Sequence, residues 1–199
     1  MTYHPLSAVK YLTIHYSATP IERSYSLADI DAMHVRRGFN GIGYHAYGPR
    51  TGGWQEGRKV TEAGRFEQGA HSKGENDEAL GYCYEGGVST ADLNHGYDTR
   101  TPAQKKAMIE WIDTMLALTG GDGIDPSKGP VVRGHKDMPG AATQCPGFDA
   151  GAWWIEVQRQ RAVKRSFTAV EEEMQRQHAK LVPSWLRWLV RAFGAEIKT

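Results

Sequence analysis

Three residues have the types and the setting to hold a metal ion: His15, His135 and Cys145. His15 lies in the β-rich run Tyr11-Leu12-Thr13-Ile14-His15-Tyr16. Alternation puts Leu12, Ile14 and Tyr16 on one face and Thr13 and His15 on the other, the side where a cleft would lie. Taken alone, a strand histidine is more often a hydrogen-bonded structural residue. His135 follows the short run Val131-Val132, and Cys145 comes ten residues after it, in a loop punctuated by Pro139, Gly140, Pro146 and Gly147. Such a loop is long enough to fold back, so that His135 and Cys145 share one ion. Two neutral imidazoles and one thiolate match the borderline softness of zinc, and three protein ligands leave a fourth position for water. A zinc ion so held lowers the pKa of that water towards about 7 and polarises a substrate carbonyl. The spacing from His135 to Cys145 is not in itself diagnostic.

The elements that must position these residues are partly legible. Ser26, with Asp29 three residues on, is a helix N-cap, and the helix it opens ends near Arg37-Gly38. Tyr44 to Tyr47 and Trp54 to Val60 flank Thr51-Gly52-Gly53 and read as strand, turn and strand. Leu80 to Tyr84 is a further strand, closed by Gly86-Gly87. Thr101-Pro102-Ala103-Gln104 joins an N-cap, a proline at the first helical position and a capping-box glutamine. Ile109, Ile112, Met115 and Leu116 supply the apolar stripe of that helix before Gly120-Gly121 stops it. Asp149 is placed to cap another helix carrying Trp153, Trp154 and Val157. This order of strands and helices predicts an α/β fold, a central mixed β-sheet flanked by helices, with a helical C-terminal extension.

Composition narrows the class. At 199 residues, with 24% charged and 40% hydrophobic, the chain suits one folded core domain, expected over residues 1–160, and a helical extension over 161–199. The formal net charge of +1, from 24 basic and 23 acidic residues, gives no case for a nucleic-acid partner. The two cysteines, Cys83 and Cys145, exclude a disulfide scaffold and leave a single bridge compatible but unnecessary. Cys83 sits on an apolar strand and reads as a buried thiol. Met1 to Lys10 lacks the basic start and apolar run of a secretory signal, and no stretch approaches the roughly 18 apolar residues of a membrane span. Synthesis in the cytoplasm is expected, and a monomer.

Six motifs occur in a telling order: Thr13-Ile14-His15-Tyr16-Ser17-Ala18-Thr19, Gly43-Tyr44-His45-Ala46-Tyr47, Ala70-His71-Ser72-Lys73-Gly74, Leu80-Gly81-Tyr82, Gly134-His135-Lys136-Asp137 and Ala142-Thr143-Gln144-Cys145-Pro146-Gly147. Together they resemble the zinc N-acetylmuramoyl-L-alanine amidases of the type 2 family, which share a fold with peptidoglycan recognition proteins and include short phage endolysins. The resemblance runs from about Tyr11 to Trp154. It implies that His15, His135 and Cys145 are the zinc ligands, that Tyr44 supports the oxyanion, and that His71 lines the groove for the peptide. Thr143 stands where phage enzymes carry a catalytic lysine and recognition-protein amidases a threonine. A neutral hydroxyl there can hydrogen-bond the tetrahedral intermediate but brings no fixed charge. Lys136 and Lys73 are alternative cations. The implied activity is hydrolysis of the amide between N-acetylmuramic acid and L-alanine in peptidoglycan, on the wall, after release from the host cytoplasm. A non-catalytic peptidoglycan-binding module on the same fold is the alternative, and such modules typically lose a ligand.

The resemblance does not reach the extension. There Phe167, Val170 and Met174 form a helical stripe, Pro183 breaks it, and Trp185, Leu186, Leu189, Phe193 and Ile197 recur at helical spacing beside Arg187, Arg191 and Lys198. Two readings stand: a helix docked on the domain, or a basic amphipathic helix contacting an anionic membrane.

Overall fold

The run Tyr11–Tyr16 forms a strand that other strands pair on both edges, so its two faces are both buried: Leu12 and Ile14 on one, Thr13 and His15 on the other. The protein, seen in a computed structural model, is described over residues 1–181, with side chains to His178. Its strands are β1 (Tyr3–Pro5), β2 (Tyr11–Tyr16), β3 (Thr19–Pro20), β4 (Ala46–Gly48), β5 (Gln55–Glu56), β6 (Val60–Thr61), β7 (Arg65–Glu67), β8 (Ala79–Tyr84), β9 (Gly87–Val88) and β10 (Val131–Gly134). The helices are α1 (Leu27–Arg36), α2 (Pro102–Thr119) and α3 (Ala150–Leu181).

The main sheet has the order β10-β2-β8-β4-β5. Its first four strands are parallel to their neighbours and β5 closes the edge antiparallel to β4. This is the expected mixed sheet. Parallel strands are covered on both faces, which is why Ala79–Tyr84 is buried at every position. The hairpin is shorter than its sequence suggested: Tyr44 and His45 precede β4, and Val60 belongs to β6. A second, antiparallel sheet, β1-β7-β6, and a parallel pair, β3 with β9, complete the strands.

Both capping boxes are present. Ser26 Oγ accepts from Asp29 N while Ser26 N donates to the Asp29 carboxylate, and Thr101 and Gln104 do the same at the start of α2. Helix α2 buries Ala107, Met108, Trp111, Ile112, Met115 and Leu116. Ile109, placed in that stripe from the sequence, lies at its margin, because Met108 and Trp111 carry the 3–4 spacing instead.

Asp149 caps α3 through Ala152 N at 2.8 Å, and Trp154 is fully buried with its indole N–H on Asp122 O. The chain divides into two compact units, Met1–Ile155 and a second beginning at Glu156. Within the second, α3 continues as one helix and exposes Val163, Phe167, Val170 and Met174. Pro183 and the amphipathic pattern after it lie outside the described residues. Among the described residues, no helix is long and apolar enough to cross a membrane.

Candidate metal centre

Parallel pairing of β10 with β2 sets Gly134 beside Ile14, so the chain leaves β10 next to His15. His135 opens a single 3-10 turn, His135–Asp137, closed by Gly134 N donating to Asp137 Oδ2 at 3.3 Å. Asp137 thus holds its own loop. The rings of His15 and His135 stand 4.6 Å apart between centroids.

Cys145 returns to the same point. Its Sγ is 3.8 Å from His15 Nδ1, and one donor atom from each of His15, His135 and Cys145 lies within 4.8 Å of the other two. Every polar atom of Cys145 is fixed. Its N–H donates to Thr143 Oγ1 at 3.1 Å, its carbonyl accepts from Lys136 N at 2.7 Å, and its sulfur accepts from Tyr16 N at 3.3 Å.

Electrostatics suit the two histidines to the same role, while the cysteine thiol needs a cation beside it to ionise. Burial, reinforced by His71 and His135, holds His15 well below the ordinary histidine range, and burial lowers His135 as well. Both imidazoles are therefore neutral and free to offer a lone pair. Burial pushes the Cys145 thiol up to about 12, with the Tyr16 N–H working the other way. Ligands about 2.1 and 2.3 Å from a tetrahedral ion stand roughly 3.6 Å apart. The 3.8 Å between Cys145 and His15 is close to that separation, and the donor types suit zinc, with all three donor atoms within 4.8 Å of one another.

The three donors open on a cleft of about 590 Å³. Tyr44 lines it with its ring 5.2 Å from that of His15, and burial raises its phenol well above the usual tyrosine range. Thr143 lines it from an exposed position and keeps its O–H free of the contact with Cys145 N. Of the two candidate lysines, Lys73 lines the cleft and Lys136 does not. His71 lines it too, but as a buried side chain whose Nδ1 lies 3.2 Å from His15 Nε2. It therefore contacts His15 as well as the cleft.

A family model described as N-acetylmuramoyl-L-alanine amidase matches residues 5–148, which include all six of these positions. The chain belongs to that family. Among curated relatives of this amidase are the endolysin of Enterobacteria phage T3, 31% identical over 76% of this chain and 89% of that protein, and the endolysin of Escherichia phage T7, 32% identical over 71% and 82%. The amidase is a peptidoglycan hydrolase of the phage-lysis type. Solved structures share its fold. The N-acetylmuramoyl-L-alanine amidase LysC from Clostridium intestinale covers 80% of this chain and 91% of that one, with a TM-score of 0.58 at 23% identity. Bumblebee PGRP-SA covers 77% and 83%, with a TM-score of 0.56 at 20% identity.

Sequence reasoning missed part of the amidase site. His34, given no role, is buried at the cleft wall; its Nδ1 accepts from Gly43 N at 2.8 Å and its ring lies 5.2 Å from that of Tyr44. One signal was available: His34 follows Ile30 by four residues, on the buried face of α1. Arg37 and Phe39, just past that helix, line the cleft as well. Cys83 is the buried thiol that its apolar strand predicted. Cys83 is fully buried, and His45 bridges Glu67 O and Gly81 N.

Proposed function

We propose that this amidase cleaves the bond between the lactyl carbonyl of N-acetylmuramic acid and the L-alanine amine, using zinc held by His15, His135 and Cys145. The observation carrying the reading is the convergence of those three donor atoms within 4.8 Å at the cleft that Tyr44 lines. When bound there, zinc supplies a Lewis acid for the carbonyl and lowers the pKa of water.

The chain's own residues do the rest. Tyr44, kept protonated by burial, has its hydroxyl hydrogen-bonded to Cys83, and a turn of that hydroxyl into the cleft would let it donate where the carbonyl oxygen gains charge. Thr143 accepts from Cys145 N and shares a hydrogen bond with the Tyr16 hydroxyl, and its O–H would leave Tyr16 to reach the same oxygen. Lys73 and Arg37 bring positive charge to the cleft without occupying the position of Thr143. His71 contacts the stem peptide from the cleft wall while its Nδ1 braces His15. The alternative, a non-catalytic binding module, has no use for a buried cysteine held by three hydrogen bonds, one of them on its sulfur, beside two neutral imidazoles.

The proposal extends to the whole chain. Residues 1–160 act as the amidase domain and 161–199 as an extension that contacts anionic membrane. The protein, a monomer with no nucleic-acid partner, is made in the host cytoplasm and meets peptidoglycan after release. The test of the chemistry is mass spectrometry of digested peptidoglycan, with and without a chelator. New L-alanine amino termini are expected, vanishing on chelation and in Cys145→Ala. New reducing sugar ends, or lysis by Cys145→Ala, would overturn it.

A further inference from the structure

The loop carrying Cys145 is gripped from both sides by residues to which the reaction assigns nothing. Tyr84, the last residue of β8, is fully buried, and its Oη donates to Pro146 O at 2.6 Å. On the other side of the cysteine, Gln144 reaches into the loop between β9 and α2. Its Oε1 accepts from Gly96 N at 2.8 Å and its Nε2 donates to Asn94 O at 3.2 Å. Gly147 then lies so close to Tyr97 that a Cβ would come within 2.4 Å of its backbone carbonyl carbon. The gripping loop is itself anchored. Asp98 pairs with Arg100 through both carboxylate oxygens, and the Arg100 guanidinium sits 3.2 Å from the centroid of the Phe148 ring.

We propose that Tyr84 and Gln144 form a clasp that presets Cys145 Sγ beside His15 and His135, making them positioning residues for the metal ligand. The inference rests on Cys145 being a ligand. Its physical basis is the ordering cost of the loop. Residues 136–146 contain two prolines and a glycine but no strand or α-helix, so an unclasped loop would have to be ordered when the ion binds. Partners that orient a metal ligand from outside typically change metal affinity by about 10- to 100-fold when removed. Tyr84 should lie in that range, because its hydroxyl is the buried donor to Pro146 O. Gln144, at the surface, should matter less.

Tyr82 provides an internal control. It stands two residues earlier on β8, equally buried, and its hydroxyl has no hydrogen-bond partner among the described residues. Removing it therefore deletes the same atom without touching the clasp. The experiment measures zinc affinity of the full chain by chelator competition, with melting temperature followed in parallel and the thiolate-to-cobalt absorption band read after cobalt substitution. Expected are zinc affinity weakened by about 10-fold or more in Tyr84→Phe, about 3-fold in Gln144→Ala, and unchanged in Tyr82→Phe. The cobalt band should shift or weaken in the same order. Wild-type affinity in Tyr84→Phe, with Cys145→Ala losing the metal, overturns the clasp and leaves the ligand set standing. Full affinity in Cys145→Ala would instead remove the ligand reading on which the clasp rests. Should Tyr84→Phe not fold, Gln144→Ala decides: an unchanged affinity and cobalt band overturn the proposal.

Discussion

In the proposed chemistry, Tyr44 and Thr143 divide one task between a buried phenol and an exposed hydroxyl. Burial raises Tyr44 well above the ordinary phenol range, so it remains a donor throughout the pH range of a bacterial wall. Tyr44→Phe is expected to lower kcat about 100-fold with little change in zinc content. Thr143→Val should cost less, about 10-fold, because zinc and Tyr44 remain. Steady-state rates on purified peptidoglycan, with zinc measured on the same samples, check both. Buried histidines set a second expectation. His45 has both ring nitrogens engaged, and burial brings it down to about 4. His15, His71 and His135 move the same way, also through burial. A histidine with its folded pKa below the unfolded value leaves the unfolded chain binding more protons as pH falls. The stability it contributes is whole above about 6.5 and is lost towards about 4. Thermal melts of metal-free protein should thus show Tm falling across that window, and a flat profile would contradict the assignment.

At the level of elements, the caps were the most legible features because their signals are local. Thr101-Pro102-Ala103-Gln104 specifies a helix start in four residues, yet nothing in it reveals the tertiary work of Gln104. That side chain is fully buried, and its Nε2 donates to Gly48 O and Glu85 O, both at 3.0 Å, fastening α2 to the ends of β4 and β8. Gln104→Ala should remove one cap and a donor from two carbonyls, of which Gly48 O keeps Glu85 N. A loss of about 3 kcal/mol, or about 8 °C in Tm, is expected, measured by thermal denaturation. Strands β2, β8 and β10 were readable since each carries a β-rich apolar run. Strands β3, β6, β7 and β9, two or three residues each, are too short to show a period, and tertiary pairing alone defines them. The ligand triple was within reach of residue type and motif order. For His34 the helical spacing could give burial but not the place at the cleft, because its contact with Gly43 exists only once residues 37–43 fold back across the end of α1.

At the scale of the molecule, the matched family ends at residue 148, whereas the chain continues to 199. All the proposed site residues lie in the first compact unit, and the helix of the second exposes Val163, Phe167, Val170 and Met174. A chain ended after Pro183 keeps those four residues and removes the basic amphipathic pattern of Trp185 to Lys198, so on the proposed membrane reading it is expected to keep amidase turnover and to lose leakage of anionic liposomes. Loss of turnover instead would tie the extension to catalysis. The centre has one more consequence at this scale. His15 and Cys145 are 130 positions apart, and both cysteines are free thiols. An ion shared across that gap works as a reversible staple, closing a ring of most of the first unit as a disulfide does in a secreted domain. A cross-link over a loop of that size restrains the unfolded chain by about 4–5 kcal/mol in entropic terms. On the zinc reading proposed above, a chelator would therefore also be the counterpart of a reductant: it would remove the chemistry and unfasten the last loop of the unit from its first long strand.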